Sequence, residues 1–116
     1  MDRFDALRDL VAFNKPVVVL ADSLSKFDWD YEGQPLTVMA LQIQEVLKRF
    51  LAGEYSAQEL EDWANLIECR EDLEFEEKKR DEIAYVIYRL ANPVLEGEIT
   101  PDSCEALVAT LDFADD

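Results

Sequence analysis

The segment that most restricts the fold of this chain is residues 50–67, where a helix stop and a helix start follow each other almost directly. Apolar residues at Met39, Ile43, Val46, Leu47 and Phe50 recur at spacings of three and four, the buried stripe of a helix over residues 36–52 with Thr37 as its N-cap. Gly53 ends that helix, because glycine enters the left-handed backbone region at little cost. Ser56-Ala57-Gln58-Glu59 then has the capping-box pattern, in which each of the outer side chains satisfies a backbone N–H of the other residue. Leu60, Trp63, Ala64 and Ile67 form the stripe of the next helix, and Trp63 belongs to the core. So short a connection predicts an antiparallel helical hairpin at the centre of the molecule.

The helical period continues beyond the hairpin. Ile83, Ala84, Ile87 and Leu90 predict a helix over residues 76–91, stopped at Asn92-Pro93 because proline forces its predecessor out of helical geometry. Thr100-Pro101 opens a last helix, with a capping hydroxyl and proline in the first turn, facing inward through Cys104, Leu107, Val108 and Leu111. Near the N-terminus, Phe4, Leu7, Leu10 and Val11 predict a short helix. Residues 16–27 read either as a second helix or, at 17–20, as a strand; a lone strand has no visible mate, which favours the helix. The expected fold class is all-α: a compact single domain, residues 1–116, of about five helices around the central hairpin. A chain of 116 residues that is 49% hydrophobic can bury a self-sufficient core.

The N-terminal residues are charged rather than apolar, unlike a signal peptide, and the longest apolar run, residues 17–21, is far short of a membrane span. With only Cys69 and Cys104, and no CxxC, the expectation is a cytoplasmic protein with free thiols.

Charge then limits the function. The net charge is −16, from 27 Asp+Glu against 11 Lys+Arg. Residues 1–53 hold 8 acids and 6 bases, whereas residues 54–116 hold 19 acids and 5 bases. Nucleic acid and anionic membranes would be repelled, since binding them requires clustered Lys and Arg. The basic run Lys78-Lys79-Arg80 is enclosed by Glu76, Glu77, Asp81 and Glu82.

The sequence contains no histidine, which removes the commonest general base and metal ligand. Cys104 reads as a small buried hydrophobe, and Cys69 beside Arg70 is thin ground for a reactive thiol. Asp28-Trp29-Asp30-Tyr31-Glu32-Gly33 opens like a calcium loop, but Met39 stands where the bidentate Glu should be. The ExxE of Glu68 and Glu71 resembles half the magnesium set of the all-helical nucleoside triphosphate pyrophosphohydrolases. The matching ExxD, Glu59 to Asp62, precedes it instead of following, so that reading is dropped. The expectation is a protein that is not an enzyme, with no metal and no cofactor.

What remains is a surface. Residues 54–77 contain ten acids and one base, Arg70, whereas ordinary helix surfaces mix the signs. Glu61, Asn65, Glu68 and Asp72 would line one stripe of a helix that reached so far. Glu54, Glu59, Asp62, Glu71 and Glu74 extend the negative region, and Tyr55, Trp29 and Tyr31 are the aromatics expected to be exposed. An acidic field with aromatic anchors suits a basic protein partner, because charge steers encounter and desolvated anchors hold the complex.

The stretch Arg49-Phe50-Leu51-Ala52-Gly53-Glu54-Tyr55-Ser56-Ala57-Gln58-Glu59-Leu60 resembles the small bacterial immunity proteins of the colicin type, in some of which a helix ends in a short turn before an acidic helix. The resemblance implies a cytosolic inhibitor that neutralises a cognate basic toxin, often a nuclease, by covering its nucleic-acid site with carboxylates. Its binding residues would correspond to Glu59, Glu61, Asp62 and Glu68. The expected partner surface is therefore Glu54, Tyr55, Glu59, Glu61, Asp62, Glu68, Glu71, Asp72 and Glu74. The alternative is a helical interaction or regulatory module without a toxin partner, in which acidity serves solubility.

Overall fold

The computed structural model describes residues 2–27, 32–68 and 70–112. The chain starts with α1 (Arg3–Ala12), which Asp2 caps by accepting from the Asp5 N–H at 2.8 Å while the Asp5 carboxylate accepts from the Asp2 N–H. Leu7, Leu10 and Val11 are buried, as their spacing predicts. Phe13 closes the helix in the left-handed region, at φ 49°. Pro16 then leads into α2 (Val17–Leu24), which buries Leu20 and Leu24 and leaves Val18 and Val19 exposed. Residues 17–20 are thus helical.

The expectation of an all-α chain needs correction after that. Leu36–Val38 forms a strand, β1, paired in parallel with β2 (Leu73–Phe75) in the register Leu36 to Leu73 and Val38 to Phe75. Val38 is fully buried and Leu73 nearly so, so the pair is held by core packing as well as by its ladder. Thr37 lies in β1 and is not a helix cap. Helix α3 (Ala40–Leu51) begins later, where the Met39 N–H donates to Gln42 Oε1 and the Ala40 N–H donates to Glu76 Oε1, both at 2.8 Å. Glu76 therefore satisfies a helix start from a distant part of the chain, a favourable place for a carboxylate. Met39, expected in the buried stripe, is 41% exposed at this junction.

Gly53, at φ 89°, makes the expected turn, and α4 (Ala57–Ile67) starts with the expected capping box between Ser56 and Glu59. The two helices nevertheless do not pack chiefly on each other. α4 lies along α5 (Arg80–Ala91), α3 lies along α7 (Pro101–Thr110), and α1 touches both α3 and α4. The short connection sets the turn but leaves the partners of each helix to the rest of the chain. A 3₁₀ turn at Glu77–Lys79 precedes α5, and within α5 Val86 faces the core whereas Ala84 faces out. A single turn, α6 (Pro93–Glu96), follows, and Thr100 and Ser103 cap α7 reciprocally.

The molecule is mostly helical with one small sheet. Trp63, Leu7, Leu10, Ile43, Leu47, Leu60, Ile83 and Leu90 form the centre of its core. The radius of gyration, 13.6 Å, is that of a compact domain of this length. Two buried polar side chains serve the end of α7. The Lys79 ammonium donates to the Asp112 carbonyl at 2.9 Å and Gln44 Nε2 donates to the Val108 carbonyl at 3.0 Å, both at the C-terminal end of α7. Among the described residues no helix is long and apolar enough to cross a membrane.

Candidate acidic binding surface

The acids of residues 54–77 divide into those the fold uses and those it leaves to solvent. Asp72 is the clearest of the first kind. It is 0% exposed, and its two oxygens accept from Arg70 Nε at 2.8 Å, Arg70 Nη2 at 2.9 Å and Arg3 Nη1 at 2.7 Å. Burial alone would raise its pKa, but the hydrogen bonds and charges of Arg70 and Arg3 outweigh that and hold the carboxyl below the usual aspartate range. Asp72 is therefore removed from the expected partner surface. The stripe of Glu61, Asn65, Glu68 and Asp72 fails because α4 ends at Ile67, and Glu68 already has extended backbone at φ −60°, ψ 134°. The chain has to turn there to deliver Leu73–Phe75 to β1, and the Asp72 carbonyl accepts from the Leu36 N–H at 2.9 Å.

Tyr55 also belongs to the fold. Its hydroxyl donates to the Phe13 carbonyl at 2.7 Å, and its ring stacks on the Phe13 ring with centroids 4.1 Å apart. Phe13 in turn stacks on Trp63 at 5.6 Å, Trp63 Nε1 donates to the Leu10 carbonyl at 2.6 Å, and Arg49 donates to the Ala12 carbonyl. Three side chains from the α3–α4 region thus satisfy carbonyls at the end of α1, the groups a helix leaves without intrahelical partners. Burial raises the pKa of the Tyr55 hydroxyl; the positive charge of Arg49 opposes the rise, and Glu54 and Glu59 add to it. The expected exposed anchor is half-buried and structural. Trp29 and Tyr31, the other two expected anchors, lie outside the described residues, as do Cys69 and most of the Asp28–Gly33 loop.

The remaining acids face outward. Glu54, Glu59 and Glu71 are exposed, whereas Glu61, Asp62, Glu68 and Glu74 are half-exposed, Glu74 on β2 rather than on a helix. Glu59 accepts from the Ser56 N–H and Asp62 accepts from Gln58 Nε2, but among the described residues none of these acids is ion-paired. Several cations of the molecule have other partners. Arg3 and Arg70 hold Asp72, Lys15 holds Asp9 at 2.9 Å, and Arg49 lies over the Tyr55 ring, 5.5 Å from its centroid. The hydrogen bond from Lys15, and then that from Asn14, holds the Asp9 carboxyl below its ordinary pKa.

Two grooves border this surface. Glu54, Tyr55 and Glu59 line one of about 410 Å³ together with Lys15, Pro16 and Arg49. Glu61 lines another, of about 230 Å³, with Ala57 and Gln58 of α4 and with Pro93, Glu98 and Ile99 of the 93–99 segment. Sequence reasoning missed Pro93, Glu98 and Ile99, because the pattern assigns them only to an interhelical connection. It also missed Val94 and Leu95, 96% and 72% exposed, which follow directly on the Pro93 wall. The available signal was an apolar pair between Pro93 and Gly97 with no helical stripe to join. Among the described residues no group of three or more Cys, Asp and Glu side chains is arranged to hold a metal ion.

Comparison with protein-family models, with curated proteins and with solved structures finds no match to this chain.

Proposed function

We propose that this protein is an acidic inhibitor of the immunity or antitoxin type, which binds a basic protein through the face built on α4. The observation that carries the proposal is the set of carboxylates Glu54, Glu59, Glu61, Asp62, Glu68 and Glu71, which have no ion-pair partner among the described residues, while Arg3, Arg70 and Lys15 are paired with Asp72 and Asp9. Carboxylates left uncompensated in this way raise the local negative potential, speed encounter with a cationic surface and reject an anionic one. A nuclease toxin fits such a face, since the Lys and Arg that hold its phosphates would meet carboxylates in their place. Asp72 has no part in this contact and Tyr55 contributes only the edge of a groove.

The test is capture of the partner by the full-length protein at low and at high salt. Recovery of one basic protein, with retention falling as salt rises, supports the inhibitor reading. The exposed pair Val94 and Leu95 favours a second reading, a helical interaction module that binds through apolar contact. Partners retained equally at both salt concentrations would select it.

A further inference from the structure

We infer that the groove between α4 and residues 93–99 is the centre of the partner interface and that it takes an Arg or Lys side chain from the basic partner. The inference rests on the reading above and assigns its contact point. A cationic side chain has an apolar stem and a charged head, and it is accommodated best where an apolar wall ends in a negative rim. The groove has that composition: Ala57, Pro93 and Ile99 are its apolar lining, and it holds one acid from α4, Glu61, and one from the 93–99 segment, Glu98. Neither carboxylate is ion-paired among the described residues. Arg89, in the last turn of α5, donates to the Tyr85 hydroxyl at 2.9 Å.

The backbone is shaped to keep the rim in place. Gly97 sits at φ 120°, where other residues are strained, and an added Cβ would lie 3.4 Å from Arg89 Nη2. That turn ends α6 and leads directly into Glu98, which lines the groove together with Glu61. Directly after Pro93, Val94 and Leu95 are exposed, with no described residue covering them. An apolar projection beside a charged slot is the arrangement of a desolvated interface centre with a polar rim. The occupant is thus a segment of the basic partner that carries a cationic residue next to an apolar one.

The experiment is a titration of the ¹⁵N-labelled protein with the peptide acetyl-Leu-Arg-Leu-Arg-amide, with the citrulline peptide of the same sequence as the uncharged control. Saturable amide shifts centred on Gln58, Glu61, Gly97 and Ile99 are expected, weakened about tenfold or more by E61Q/E98Q and absent with citrulline. Circular dichroism of the variant checks that the fold is retained. Shifts centred on the Glu54 and Glu59 groove, or on Glu68 and Glu71, would overturn this site and leave the basic-partner reading standing. The absence of saturable shifts anywhere at low salt would overturn both. Equal response to the citrulline peptide would show an apolar site and overturn the cationic occupant.

Discussion

Arg3 and Asp72 meet at 2.7 Å across most of the chain, joining the first turn of α1 to the residue that leads into β2. Arg70, two residues before Asp72, holds the same carboxylate through both of its oxygens, so one buried charge ties the start of α1 to the segment that leads into β2. Removing one partner of such a group costs more than the pair contributes net, because the remaining charges stay out of water. Asp72→Asn should lower unfolding stability by about 3 kcal/mol, measured by urea denaturation at neutral pH. The pH dependence follows from the sign of the shift. The folded carboxyl titrates below its unfolded value, so its contribution is complete above the ordinary aspartate range and is lost as pH falls through the folded pKa. Acid unfolding of Asp72→Asn should therefore show a shallower loss of stability below about pH 4 than the natural protein.

The column of Tyr55, Phe13 and Trp63 gives a second expectation. Tyr55→Phe removes only the hydroxyl bond to the Phe13 carbonyl and should cost about 1 kcal/mol. Tyr55→Ala also removes the stacked ring and should cost about 3 kcal/mol. Thermal or urea unfolding separates the two. Binding of a basic partner by the folded Tyr55→Phe variant should be unchanged, since the hydroxyl faces the end of α1.

Much of this architecture can be read from residue spacing. The capping box at Ser56, the capping hydroxyl of Thr100, the glycine turn at Gly53 and the stripes of α4 and α7 are local signals, and each forms where its residues predict. The parallel pair of β1 and β2 is different. Its mates, Leu36 with Leu73 and Val38 with Phe75, are distant in sequence, and each strand is too short for an alternating pattern to stand out. The same limit hid the role of acids. Asp72 and Glu76 look like members of a surface run, yet one holds two arginines in the core and the other satisfies the start of α3. Local composition registers a carboxylate, whereas only the tertiary fold decides what it faces. Glu98 was missed for the converse reason: it gains meaning only from Glu61 in the same groove.

Cys104 provides a test of core order. It is fully buried on α7, and burial pushes its thiol pKa up to about 11 against the opposing effect of a hydrogen bond with Ser103. The thiolate is the reactive form, so Cys104 should resist iodoacetamide at pH 8 in the native protein and react promptly in denaturant. Peptide-level mass spectrometry reads Cys104 separately from Cys69. Rapid labelling of native Cys104 would mean that α7 opens readily from α3.

The central claim is that carboxylates on α4 bind a basic partner while Asp72 and Glu76 serve the fold. It is tested most directly by the double variant E61K/E68K, with thermal unfolding and partner affinity measured at several salt concentrations. Both positions are half-exposed and without an ion-pair partner among the described residues, so the melting temperature should stay within a few degrees or rise as self-repulsion falls. Affinity for the captured basic partner should drop about tenfold or more per reversal, and its salt dependence should become shallower. Unchanged affinity and salt dependence in a folded double variant would contradict the acidic-face mechanism.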